Sequence, residues 1–487
     1  MELSVIPKPA SVKYTRGVFK SPGIPSIIKK EGGIDGDALS GCDAPAGCAA
    51  PEEAYQLKIT KKSITLQAPS PAGMFNGEQT IRQLVMSELK DGHLVLPCAE
   101  ITDYPRFSWR GFMLDCSRYF YSVPFIKNLI DVLAMHHINR FHWHLTDDQG
   151  WRLPVKEFPL LADIGSKRHD SRIPARNVTG NFYTEDEIRD VVEFAASRHT
   201  EIIPEADLPG HASAILACYP GLGCTGGPYR VEDRFGIFED VLCAGNDHIF
   251  DLAAAVFDAL CGLFPSKWVH IGGDEVLFNR WKECPKCRKR QKELKLKKTG
   301  ELQSWITFRL ARMLADRGKT AIGWDEILED SPKYRLPKDT VIMSWRGNKS
   351  GIRAASGAGG LAHDVIMSPN TEGCYLDYKH INVPEEPGQI YAGASSVYMS
   401  YSMDPAPASM GKEASARILG GQGNLWSEFI YAGKIAEYMI FPRICAIAET
   451  VWTPRKEKDF EDFSRRLIVH RERLDKLGVQ QYRGTLR

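Results

Sequence analysis

The alternation of apolar and polar positions changes character near residue 105. Before it, 55–60 and 63–68 alternate as two strands should. Phe75, Ile81, Leu84, Val85 and Leu89 recur at helical spacing through 74–89. These elements predict a small N-terminal α+β domain over 1–105, closed by Pro105. From Arg106 onward the chain shows short apolar runs, each followed by polar and aromatic residues and usually by a helical stretch. The runs at 111–115, 140–145, 201–204, 268–271, 320–323, 341–344, 363–367 and 418–425 predict eight strands. Eight parallel strands alternating with helices close into a (β/α)8 TIM barrel, and 106–487 exceeds the roughly 250 residues such a barrel needs, leaving room for long loops and C-terminal helices. The fold class expected is therefore α/β, a barrel preceded by the small α+β domain. The small residues at 356–360 read as a turn before the seventh strand, because no glycine-rich loop opens a helix after a strand there.

Composition narrows what such a fold is for. Of 487 residues 43% are hydrophobic and 25% charged, enough apolar material for a large core and too much for a disordered scaffold. Lys and Arg number 62 against 61 Asp and Glu, a formal charge of +1, so no global field draws nucleic acid or anionic lipid. The basic stretch 282–298 is expected to be a solvated helix face. No apolar run approaches the roughly 18 residues of a membrane span. The first residues carry no basic and apolar leader, which fits a cytoplasmic protein, or a periplasmic or secreted one whose signal was removed. Twelve irregularly spaced cysteines are expected to be mostly free thiols. Cys284 and Cys287 have zinc-knuckle spacing, but no second CxxC or close His pair completes four ligands, so a metal there stays an open question.

Barrel enzymes carry their chemistry at the C-terminal ends of the strands. Asp115 and Arg118 follow the first expected strand; His142, His144, Asp147 and Asp148 sit at the second; Glu205, Asp207 and His211 follow the third. The fourth ends in His270-Ile-Gly-Gly-Asp274-Glu275, the fifth and sixth in Trp324 and Trp345, and the eighth in Trp426 and Glu428, while Tyr375 and Asp377 lie beyond the seventh. Carboxylates, an arginine and three strand-end tryptophans facing one mouth suit a sugar, whose C–H faces stack on indoles while charged groups bind its hydroxyls. The adjacent Asp274 and Glu275 suit acid/base work, where environment can hold one carboxyl protonated beside an ionised neighbour. A rival chemistry is a zinc-dependent amidohydrolase built on His142, His144, His211, His270 and Asp274. It leaves the tryptophans without a use.

Four motifs carry a family resemblance: His270-Ile-Gly-Gly-Asp-Glu275, Phe141-His-Trp-His-Leu-Thr-Asp-Asp-Gln-Gly-Trp151, Arg110-Gly-Phe-Met-Leu-Asp-Cys-Ser-Arg118 and Leu208-Pro-Gly-His211. The chain resembles the family 20 glycoside hydrolases, the β-N-acetylhexosaminidases, over nearly its whole length. Ala206, where a larger aliphatic residue is usual, departs from the pattern and bears on packing. The resemblance implies an exo-acting, retaining enzyme that removes terminal β-linked N-acetylglucosamine or N-acetylgalactosamine from glycans by substrate-assisted catalysis, without a cofactor or catalytic metal. It casts Glu275 as general acid and base, Asp274 as the residue orienting the 2-acetamido group, and Tyr375 as its hydrogen-bond partner. Trp324, Trp345 and Trp426 would enclose the acetamido group and sugar face. Arg118, Asp377 and Glu428 would bind hydroxyls, and His211 with Asp148 or Asp147 would form a relay tuning Glu275. A lacto-N-biosidase of the same family is the near alternative. A carbohydrate-binding protein on an inactive scaffold is disfavoured because Asp274 and Glu275 are both present. Sugar epimer, linkage, natural glycan, oligomeric state and compartment are not legible from the sequence.

Overall fold

The computed structural model describes residues 3–32, 49–169, 179–328, 333–358 and 360–487. The N-terminal part is a mixed sheet of β1 (Ser11–Pro22), β2 (Ile27–Glu31), β3 (Tyr55–Ile59), β4 (Ile64–Ala68) and β5 (His93–Asp103), in the order β1-β5-β3-β4-β2, with the short pair Leu89–Lys90 on β5. Helix α1 (Pro71–Glu88) follows β4. It starts where Ser70 accepts the amide protons of Ala72 and Gly73 and Pro71 occupies the first turn, a position that needs no donor. Ile81 and Leu84 of α1 pack with Leu57, Leu66, Leu96 and Ile101 of the sheet. The sequence pattern found β3, β4 and α1 within a residue or a few. It missed β1 and β2, whose side chains are largely exposed on both faces and so do not alternate, and it missed β5.

Eight strands form a closed parallel barrel: β6 (Trp109–Asp115), β7 (Arg140–His144), β8 (Glu201–Glu205), β9 (Trp268–His270), β10 (Thr320–Trp324), β11 (Val341–Ser344), β12 (Val365–Met367) and β13 (Ile418–Leu425). They coincide with the eight expected runs, and each pairs with its sequence neighbours until β13 closes on β6. The barrel interior is filled by Trp109, Ile203, Ile322, Trp324, Val341, Met343 and Ile366. Outside lie α2 (Val123–Met135), α3 (Glu185–Ala196), α4 (His248–Leu263), α5 (Pro285–Glu293), α6 (Glu301–Ala315), α7 (Asn348–Ser356), α8 (Arg443–Trp452) and α9 (Phe460–Lys476). α7 ends on Gly357 at φ 69°, which bears out the expected turn; residue 359 of that stretch lies outside the described residues. On α5, the helix of the basic stretch, only Cys287 is buried, as a solvated face requires.

Buried polar contacts join the two parts. The Trp452 indole donates to Asp103 Oδ1 (3.0 Å), Arg473 Nε to the Gln83 carbonyl (2.9 Å), and Arg110 pairs with Glu53. Among the described residues no helix is long and apolar enough to cross a membrane.

Candidate active site

A cavity of about 440 Å³ opens at the C-terminal ends of the strands. Arg118, His211, Asp274, Glu275, Trp345, Tyr375, Asp377, Trp426 and Glu428 line it, so nine of the residues singled out in the sequence converge there.

The turn after β9 sets the acidic pair. Gly272 (φ 66°) and Gly273 (φ 93°) let the chain reverse, and Glu275 itself sits at φ 51°. A Cβ on Gly272 would lie 1.8 Å from Asp207 Oδ1, so only glycine fits there. Asp207 in turn accepts the amide proton of Gly273 (2.9 Å). His211, also in the left-handed region at φ 47°, stands behind the pair. Its Nε2 is 3.6 Å from both Asp274 Oδ2 and Glu275 Oε2, and its Nδ1 is 3.1 Å from Asp147 Oδ1 and from Asp148 Oδ2. Burial pushes the imidazole down, but Asp147 and the hydrogen bonds to Asp147 and Asp148 outweigh it and hold His211 well above its ordinary value. Asp274 is the opposite case. Burial first, then the neighbouring Asp207, push its carboxyl well up against the pull of His211, and its Oδ1 has no hydrogen-bond partner among the described residues. A buried acceptor in that state is suited to a donor brought by a ligand.

Asp115 organises the other side. Its Oδ1 accepts the amide protons of Ser117 and Arg118, and its Oδ2 accepts that of Ser427 (3.0 Å), tying the end of β6 to the turn after β13. The Arg118 guanidinium lies 2.7 Å from Asp147, 3.2 Å from Asp115 and 3.7 Å from Glu428, and it stacks over Trp426 at 5.1 Å. Tyr375 and Asp377 come from a segment laid along β13: Leu376 donates to the Asn424 carbonyl (2.7 Å), and Asn424 to that of Cys374 (2.8 Å). From α8, Arg443 clamps this segment by donating to the carbonyls of Leu376 and Tyr378 (each 2.8 Å). Tyr375 thereby stacks with Trp345 (6.1 Å, 16°) and meets Trp426 at 6.4 Å. Burial drives Asp377 well above the carboxylate range, and its Oδ1 is also without a partner among the described residues.

One expected position differs. Trp324 is not on the cavity wall. As the last inward residue of β10 it is fully buried inside the barrel, where its indole donates to Glu205 (3.0 Å) and its ring lies 5.7 Å from Trp426, so it supports the wall from beneath. Asp147 and Asp148 are buried behind the wall as partners of His211, Asp147 held also by Arg118 and His144 and Asp148 by Ser213. Asp147 therefore positions Arg118 and His211 and does not face a ligand directly.

The rival ligand set is divided. His142 and His270 lie 2.9 and 2.8 Å from Glu205, and His144 bonds to Glu205 and Asp147, forming a polar cluster within the barrel. His211 belongs instead with Asp207 and Asp274, so the five proposed ligands do not meet at one point among the described residues.

Family comparison decides between the two chemistries. The model of the glycosyl hydrolase family 20 catalytic domain matches residues 107–455, and that of the family's domain 2 matches 27–104. The chain belongs to glycosyl hydrolase family 20. Among family 20 relatives, a beta-hexosaminidase of Porphyromonas gingivalis is 41% identical over 88% of this chain and 55% of its own length. One of Vibrio furnissii is 35% identical over 82% of this chain and 65% of its own. The chain thus spans little more than half of the first and under two thirds of the second. The solved family 20 exo beta-N-acetylglucosaminidase of Vibrio harveyi, in complex with N-acetylglucosamine, superposes with a TM-score of 0.85 at 31% identity, covering 99% of this chain and 78% of that one.

Sequence reasoning missed several residues at the family 20 site. Phe235 lines the cavity from an irregular segment, and Tyr378, Gln389 and Tyr391 from the short paired strands Tyr378–Lys379 and Gln389–Ala394, too brief for any periodicity to mark them. Phe235 and Tyr391 stack at 5.0 Å. Glu326, just past Trp324, accepts from the Trp345 indole (2.8 Å), and burial followed by the charge of Asp274 pushes it up to about 9. Its signal was the acidic pair Asp325-Glu326 at a strand end. Cys284 and Cys287 are a further correction: they do not stand as an isolated pair, because Cys224 and Cys243 join them.

Proposed function

We propose that this chain is an exo-acting, retaining β-N-acetylhexosaminidase that cleaves terminal β-linked N-acetylglucosamine or N-acetylgalactosamine from glycans through an oxazolinium intermediate. The observation that carries the reading is the pairing of Glu275, partly exposed on the cavity wall, with the buried, under-bonded Asp274 beside it. In this reading the acetamido carbonyl oxygen of the substrate attacks C1. The C1–O bond breaks toward the leaving oxygen, which takes the proton of Glu275. Asp274 receives the acetamido N–H and stabilises the charge that develops there, while Tyr375 donates to the acetamido oxygen. Water then attacks C1 and gives its proton to Glu275, and the acetamido group is restored. Two inversions leave the β configuration. Trp345, Tyr375 and Trp426 hold the acetamido group folded under the ring, so that attack is intramolecular. Arg118, Asp377 and Glu428, the charged groups at the other side of the cavity, bind the hydroxyls of the terminal sugar.

Glu275→Gln tests the reading. Turnover of a glycoside with a poor leaving group should fall by about 10² to 10⁴, and that of an activated aryl glycoside by less, because proton donation matters most where the leaving group is basic. Equal losses on both would remove Glu275 as the acid. A panel of aryl glycosides of the two N-acetylhexosamines and of lacto-N-biose separates this reading from a lacto-N-biosidase. A 2-hydroxyl substrate should be nearly inert, and a covalent sugar ester on any carboxylate or an inverted product would refute the mechanism.

A further inference from the structure

Four cysteines from three separate stretches meet at one point beside the site. Cys224 and Cys243 lie in the long segment after β8; Cys284 is the residue before α5 and Cys287 lies in its first turn. Their sulfurs lie within 4.8 Å of one another. The separations Cys243–Cys287, Cys224–Cys287 and Cys243–Cys284 are 3.5, 3.7 and 3.8 Å. A disulfide would need about 2.05 Å. Four thiolates at about 2.3 Å from one ion at the centre of a tetrahedron stand about 3.8 Å apart along its edges. The three shortest separations match those edges, and the remaining ones stay within 4.8 Å. The set is too tight to surround a polynuclear iron–sulfur cluster, and a tetrahedral all-sulfur set selects zinc among the common divalent ions.

The surroundings fit the same centre. Cys243, Cys284 and Cys287 are buried and Cys224 is partly so, the enclosure of a structural site. Gly245 permits the approach: a Cβ there would lie 2.2 Å from the backbone of Lys286, so only its absence lets the Cys243 turn reach α5. A zinc tetrathiolate carries about two negative charges, and Arg290 of α5 is the cation whose charge reaches Cys243.

We propose that Cys224, Cys243, Cys284 and Cys287 bind one structural zinc ion that staples the segment after β8 to the segment after β9. The first of these carries Phe235, Gly236 and Ile237 of the cavity wall, and the second carries Asp274 and Glu275. Further contacts follow the same seam: the Trp281 indole donates to the Leu242 carbonyl (2.9 Å), and Arg280 pairs with Asp240 (2.7 Å). The ion takes no part in bond cleavage. It fixes the wall against which the acidic pair works.

The test is elemental analysis of the intact purified protein after exhaustive dialysis, together with mass spectrometry of its thiols. About one zinc per chain is expected, released when a mercurial titrates the thiols. Cobalt-substituted protein should show the thiolate charge-transfer and intense visible bands of a tetrahedral all-sulfur site. Cys224→Ser, at the least buried ligand, should lower zinc content at least about fivefold and the melting temperature by several degrees, whereas Cys261→Ser, outside the cluster, should retain the ion. Should Cys224→Ser fail to fold, the cobalt spectrum of the unaltered protein decides the ligand set. Substoichiometric metal with four free thiols, a disulfide between any two of them, or full zinc retention in folded Cys224→Ser would overturn the proposal.

Discussion

Tyr375 and Asp377 are two residues apart on one clamped segment, yet the proposed mechanism gives them different work. Tyr375→Phe should lower kcat more than it raises KM, because its hydrogen bond strengthens as the acetamido oxygen attacks. Asp377→Ala should chiefly raise KM for the terminal sugar. Steady-state kinetics on one aryl glycoside checks both, and the reverse pattern would exchange their roles. Glu326 offers a test without substrate. A carboxyl whose folded value is near 9 and whose ordinary value is 4.5 favours the folded state when protonated; that contribution is complete below pH 4.5 and is lost as pH rises through about 9. Glu326→Gln keeps the bond to the Trp345 indole and removes the titration. Its melting temperature should match that of the unaltered protein near pH 5 and exceed it increasingly toward pH 9. A constant difference across that range would show that Glu326 does not hold its proton.

At the level of elements, the turn after β9 is the least replaceable piece of backbone near the chemistry. Gly272→Ala combines a left-handed φ with a clash against Asp207, and should cost about 1 to 3 kcal/mol of stability and at least tenfold in activity. Gly262→Ala, within α4 and with open space around it, should be neutral or mildly stabilising. Denaturant melts and initial rates compare the two. The barrel was legible because parallel strands covered on both faces read as unbroken apolar runs, and the Asp274-Glu275 pair because it ends such a run. Trp324 misled because the last residue of a strand points alternately inward or outward, and the sequence does not say which; one position decides between wall and interior. The cysteine set was illegible because Cys243 and Cys224 precede Cys287 by 44 and 63 residues, a separation that only the fold collapses.

Across the whole molecule, positive and negative residues nearly cancel, but they are not spread evenly. The buried Arg466–Glu449 pair (2.7 Å) ties α9 to α8 and also receives the N-terminal segment, Arg466 donating to the Val5 carbonyl (2.9 Å) and the Lys8 amide to Glu449 (3.0 Å), while Arg110 of β6 pairs with Glu53; these contacts knit the two parts into one body. Around the cavity the balance is broken: Asp274, Glu326, Asp377 and Glu428 all stand above their ordinary values, burial being the first cause of each shift. Such a site behaves as a loaded proton store. A ligand that brings a positive charge should lower those values and expel protons into the medium, as the oxazolinium of the proposed mechanism would. Titration calorimetry of a ring-nitrogen sugar analogue, fully cationic at pH 7, should therefore give apparent enthalpies that differ between buffers of different ionisation enthalpy, with the sign of proton release. An uncharged analogue of the same shape should show a much smaller difference. Equal enthalpies for the cation in every buffer would mean that the carboxyls were already ionised before it arrived.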